Sequence, residues 1–173
     1  MSQSTNGPEP SSMEDYAGPG LMPQRWGRMD QLSRLAVETV GRVLEESGLL
    51  QPATAKVDPA TVVGLIAATR YGSLATDLEY CRSLAEGFDL ASPALFGYTL
   101  PNIGLAEAAG QFGLTGPVYA IFSVASSAVA EAEAKRWLSM GAAPTAMLAG
   151  VIDVPPDNDP RAIIANFTLL RKS

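Results

Sequence analysis

The stretch GPVYAIFSVASSAVAEAEAKRW, Gly116 to Trp137, decides the fold. Val118 to Ser123 begins apolar and rich in β-branched and aromatic side chains, the composition of a strand. The small residues that follow permit a tight turn, and from Ser126 an alanine-rich, charge-decorated run predicts a helix to Met140. A strand that turns straight into a helix holds its turn residue against unpaired helix N–H groups, where negative charge is favoured. Folds present nucleophiles in this way. The residue at the turn is Ala125, and a methyl group cannot attack.

Working outward, TVVGLIAAT (Thr61 to Thr69) and TAMLAGVID (Thr145 to Asp153) read as strands, and AIIANFTLL (Ala162 to Leu170) as a last one. Thr61 to Thr69 is apolar on both faces, as a strand buried in the centre of a sheet must be. A helix opens at Asp30, with Leu32, Leu35, Ala36, Val40, Val43 and Leu44 on one face and Gly48 as its stop. Glu38 and Arg42 stand four apart on its outer face, the spacing of an ion pair. Two more helical segments span Ser73 to Glu86 and Asn102 to Phe112, separated by the proline-bracketed turn SPALFGYTLPN. Asn102 is placed to cap the second, and Gly113 to end it.

Strands alternating with helices predict an α/β domain of three layers, helices covering both faces of the sheet. The loop from Pro155 to Arg161 is too short for a parallel crossover, so the last strand should run antiparallel. The expected sheet is mixed and four-stranded. Residues 1–25, rich in Ser, Pro and Gly, read as a flexible tail ahead of a domain at 26–173.

Composition narrows the chemistry. The 173 residues carry a net charge of −6, which repels a nucleic-acid backbone. No apolar run is long enough for a membrane span, and the polar start does not resemble a signal peptide, so a cytoplasmic protein is expected. Histidine is absent, which removes Ser-His-Asp and Cys-His catalysis and histidine-bound zinc. The one cysteine, Cys81, reads as a buried structural thiol in mid-helix. Asp157, Asn158 and Asp159 lack the glycine and terminal glutamate of a calcium loop and read as a solvated turn. Glu131 and Glu133, two apart on a helix, diverge. With no phosphate-cradling glycine loop either, neither a metal nor a cofactor is expected.

Five segments in order carry a resemblance: RMDQLSRLAVETVGRVLEESG, VGLIAATRYGSLATDLEY, SPALFGYTLPN, GLTGPVYAIFSVASS and TAMLAGVID. Together they resemble the N-terminal half of the β-ketoacyl synthases, in the thiolase-like superfamily. In active members a Thr-Ala-Cys-Ser-Ser run follows the Gly-Pro strand, and its cysteine carries the acyl chain. Counted from Gly116-Pro117, that cysteine falls on Ala125, with Ser126 and Ser127 behind it as the family has them. The family's catalytic histidines come from a second half, and this chain runs to what resembles the last strand of the first. The family's order puts the four strands second, first, third, fourth, with the usual opening strand missing from an edge.

The resemblance implies a non-catalytic accessory subunit of a fatty-acid or polyketide-type condensing system, similar in logic to chain-length factors. Such a subunit would dock an active ketosynthase or an acyl carrier protein. The rival expectation is a module that binds an acyl-thioester or another small ligand without reacting it. The helix after Ala125 bears on the choice. Glu131, Glu133, Lys135 and Arg136 leave a stripe of Ala130, Ala134, Trp137 and Leu138, so one side of it should face solvent or a polar interface. An edge strand carrying Val118, Tyr119, Ile121 and Phe122 invites another strand, and a homodimer, or a heterodimer with an active synthase, is expected there.

Overall fold

The computed structural model describes residues 16–87, 91–124, 126–141, 143–157 and 159–172. Its centre is Val63–Thr69 (β1), buried along its whole length. Val118–Phe122 (β2) and Ala146–Asp153 (β3) flank it in parallel, so that Leu65 lies between Val118 and Leu148. Ile164–Arg171 (β4) runs antiparallel to β3, from Ala146 opposite Arg171 to Asp153 opposite Ile164. The order β2-β1-β3-β4 is the one the resemblance implied. A 3-10 turn, Pro160–Ala162, lies within the short connection that reverses the last strand.

The helices are Gln31–Glu46 (α1), Leu74–Glu86 (α2), Pro93–Phe96 (α3), Ile103–Phe112 (α4) and Ser127–Ser139 (α5). Side chains alternate across β1, which sorts the core into two layers. Val63, Leu65 and Ala67 pack under α1 and α4, whereas Ile66 and Ala68 meet Ala130, Ala134 and Leu138 of α5. Each large apolar side chain removed from water this way contributes about 1.5–3 kcal/mol. The three layers are those expected.

Several local expectations are corrected. The buried face of α1 includes Ser33, Val37 and Gly41, while Leu35 and Val43 are only half-buried. Contact with the sheet on one side and α4 on the other turns the buried arc toward α4, where Gly104 lets the two helices approach. Glu38 does not turn to Arg42; it accepts the Ala17 N–H at 3.3 Å. Cys81 is exposed, because α2 leans on α3 and not on the sheet. The turn SPALFGYTLPN holds the four residues of α3, started by Ser92, whose hydroxyl accepts the Leu95 N–H.

The segment read as a tail packs on the domain from Tyr16 onward. Tyr16 meets Trp26 edge-on at 4.9 Å, and its hydroxyl, donating to the Pro19 carbonyl, is pushed up to about 12 by burial and then by Glu38 and Glu45. Gln111 holds the Leu21 carbonyl at 3.0 Å, and Arg25 pairs with Glu107 at 3.4 Å.

Gly116 fixes how β2 enters the sheet. Its N–H donates to the Val63 carbonyl at 2.9 Å, and a Cβ there would meet Gly64 N at 2.7 Å and Val63 C at 2.8 Å. Those atoms are backbone of the central strand and cannot step aside. Gly116→Ala is expected to lower stability by about 1–3 kcal/mol, the usual cost of overpacking, in urea denaturation. An unchanged midpoint would mean that β2 can enter by another path.

Candidate functional site at the carboxyl ends of the strands

Both the strand, β2, and the helix, α5, on either side of position 125 are present. Beyond β2 the Ser123 N–H still donates to the Thr69 carbonyl at 2.9 Å. Ser126 caps α5 from an extended conformation, its Oγ accepting the Ala128 N–H at 3.2 Å, and Ser127 is the first helical residue. The site position, Ala125, lies outside the described residues. Its neighbour Val124 is 84% exposed, and Phe122 is 63% exposed.

Beside this turn stands a residue whose role the sequence did not disclose. Asp153, at the end of β3, is 3% exposed. Its Oδ1 accepts the Thr69 hydroxyl at 2.7 Å, the Arg70 N–H at 2.8 Å and the Tyr71 N–H at 3.0 Å. The Thr69 hydroxyl oxygen in turn accepts the Gly72 N–H at 2.8 Å. One carboxylate oxygen thus gathers the donors of the β1–α2 turn, a structural task. Gly72 has φ +55, and a side chain there would meet the Phe122 ring and Pro101. The available signal was an aspartate ending an otherwise apolar strand.

The charged helix also finds its partners. Arg136 grips Glu133 through Nε at 2.8 Å and Nη2 at 2.6 Å, and the Tyr119 hydroxyl donates to Glu133 Oε1 at 2.6 Å. Trp137 Nε1–H donates to the Tyr119 oxygen at 2.7 Å. Arg136 first, and Tyr119 second, hold the Glu133 carboxyl down at about 2. Burial first, and the bond to Glu133 second, push the Tyr119 hydroxyl up. Two of the charges on α5, Glu133 and Arg136, are therefore answered by Tyr119 of β2 and by one another, while Ala130, Ala134 and Leu138 face the sheet.

The expected docking residues are divided in their duties. Val118 packs against the larger core layer, and Tyr119 and Ile121 against the smaller. Phe122 alone of the four is exposed. β2 is an edge strand of the sheet, and Phe122 is its exposed side chain. Among the described residues no group of three His, Cys, Asp or Glu side chains could hold a metal. Asp159 caps the 3-10 turn and pairs with Arg161 at 3.0 Å, while Asn158 lies outside the described residues. No described helix is long and apolar enough to cross a membrane.

The family model of the beta-ketoacyl synthase N-terminal domain matches residues 11–172. The chain belongs to this family. It is 30% identical over 144 residues to "Putative polyketide beta-ketoacyl synthase 1" of Streptomyces virginiae, a match covering 79% of this chain and 33% of the relative. Among solved structures it is similar to the ishigamide ketosynthase/chain length factor, with a TM-score of 0.61 and 23% identity over 78% of this chain and 39% of that one. The chain thus spans about a third of the length of the curated relative it matches. This ketosynthase-like domain shares the three-layer fold and mixed sheet of its relatives.

Two outcomes are expected from the site. Asp153→Ala leaves a buried hydroxyl and two turn N–H groups without their acceptor, and should cost about 3 kcal/mol or more. Asp153→Asn keeps a neutral acceptor and should cost about half as much. Equal losses in urea denaturation would mean that the oxygen does not organise the turn. A cysteine introduced by Ala125→Cys, ahead of α5, should titrate below the ordinary value of about 8.5. Alkylation rate against pH reads this directly, and a normal or raised value would place the helix start elsewhere.

Proposed function

We propose that this chain is a non-catalytic, ketosynthase-like accessory subunit of a polyketide-type or fatty-acid condensing system. The observation that supports the reading best is Ala125 at the nucleophile position of a family whose strand-turn-helix is otherwise retained. Decarboxylative condensation needs a nucleophile to hold the acyl group and donors to stabilise the developing enolate. Alanine supplies no nucleophile, and the 173 residues hold no histidine. The resemblance to chain-length factors, and a structural neighbour named for a ketosynthase and a chain length factor together, favour a subunit that acts by docking.

The docking edge in this reading is β2, for a second copy and, in the same geometry, for an active ketosynthase. An acyl carrier protein is the other partner class the reading names. An edge strand without lysine or internal proline is open to strand addition.

Purified protein is expected to turn over neither acyl- nor malonyl-thioesters, and to sediment as a dimer at micromolar concentration. Ile121→Pro should convert it to a monomer, because it removes the N–H by which β2 bonds β1 and so distorts the strand that carries the edge. Turnover by the pure chain would overturn the non-catalytic reading. A monomeric wild type that also fails to retain a ketosynthase or carrier protein from its native cell would overturn the docking role.

A further inference from the structure

Asn102 occupies the position that should cap α4, yet its side chain makes no capping hydrogen bond to that helix. Its Oδ1 instead accepts the Ala120 N–H at 2.7 Å, eighteen residues away on β2. An asparagine at an N-cap ordinarily satisfies a helix donor of its own. Here that role is left unfilled while the side chain reaches the rim of the sheet.

The direction of the Ala120 N–H follows from the pairing of the strands. Leu65 N–H donates to the Pro117 carbonyl, and Ser123 N–H donates to the Thr69 carbonyl. In a parallel ladder the odd-numbered residues 117 to 123 therefore turn their groups to β1, and Val118, Ala120 and Phe122 turn theirs outward. Ala120 is the middle of the three. An antiparallel partner crossing β2 at a two-fold axis at Ala120, or one residue to either side, needs that N–H. The Asn102 side chain already holds it.

We infer that Asn102 is a latch on the β2 edge, which a second copy of this chain must displace to add its own β2 antiparallel across a two-fold axis. This rests on β2 being the docking edge. A second copy fits because residues 116–124 carry no charged side chain, so self-pairing brings no like charges together in a chain of net charge −6. The outward backbone groups of Val118 and Phe122 remain for the partner on either side of Ala120, and the exposed Phe122 ring lies beside them. Exchange of the Asn102 contact for a strand–strand bond makes assembly slower and weaker than an unguarded edge would give. The chain is thereby kept from pairing indiscriminately.

The test compares wild type, Asn102→Ala and Ile121→Pro by sedimentation equilibrium, with amide exchange at Ala120 followed by NMR. Asn102 is exposed, so the alanine variant is expected to fold; Asn102→Ser, a good helix cap too short to reach β2, is the second variant. Freeing one N–H on each of two copies should tighten the dimer by at least about five-fold. At dilutions where the chain is monomeric, the Ala120 amide should be protected in wild type and fast in both Asn102 variants. In those variants it should regain protection as the dimer forms. A wild-type dimer that Ile121→Pro breaks, but that neither Asn102 variant tightens, would overturn the latch and leave the docking edge standing. Monomers throughout, up to about 100 µM in all variants, would remove the self-docking edge itself.

Discussion

Exclusion of water from both faces of β1 is the constraint on which the other elements depend. The strand has protein above, below and on either side: α1 and α4 over one face, α5 over the other, β2 and β3 along its edges. No other strand is buried so completely, and the helices that cover the sheet reach out from it, α1 onto β4 and α4 onto β2. The same strand also sets the chemistry-bearing rim. It ends at Thr69, whose hydroxyl and following N–H groups converge on Asp153. The turn into α2, the resting place of Phe122 over Gly72 and the last bond of β2 all lie within a few residues of that convergence.

A scaffold organised this way can outlive its reaction. The stabilising contacts among the described residues lie in the two core layers and in the Asp153 cluster, whereas position 125 is flanked in sequence by the exposed Val124 and the cap Ser126. Replacing a side chain at such a place leaves the buried area and the hydrogen bonds almost untouched. Under the proposed function, alanine in place of the family's cysteine there would remove the reaction at little expense in stability. Loss of Asp153 or Gly116 would not be so easily absorbed.

The sheet was legible because its determinants are local or additive. Continuous apolar runs marked β1 and β3, and the short Pro155–Arg161 connection forced β4 to reverse. The strand order came from the family resemblance, since nothing in a hydropathy pattern says which strands are neighbours. What escaped were the side chains that serve an element other than their own. Asn102 read as a cap because caps are local, yet it bonds a strand eighteen residues on. Glu38 read as the partner of Arg42, yet it turns to Ala17. Asp153 read as the end of a strand, and its three donors arrive from more than eighty residues earlier in the chain. Cys81 read as a buried structural thiol because a free cysteine usually is one, yet α2 leans on α3 and leaves it exposed.

That helix sets the first vulnerability of the molecule. Its first turn is anchored: Thr76 donates to Asp30 at 2.7 Å, and Ser73 donates to the Thr99 carbonyl at 3.0 Å. Past Asp77 the anchors thin out, with Leu78 38% exposed and Cys81 and Arg82 on the surface. A segment held at one end can unravel from the other while the sheet stays intact. Proteases sample such partial openings before they sample global unfolding. Arg82 is therefore where trypsin should make its first cut within a helix of this domain, leaving both core layers joined.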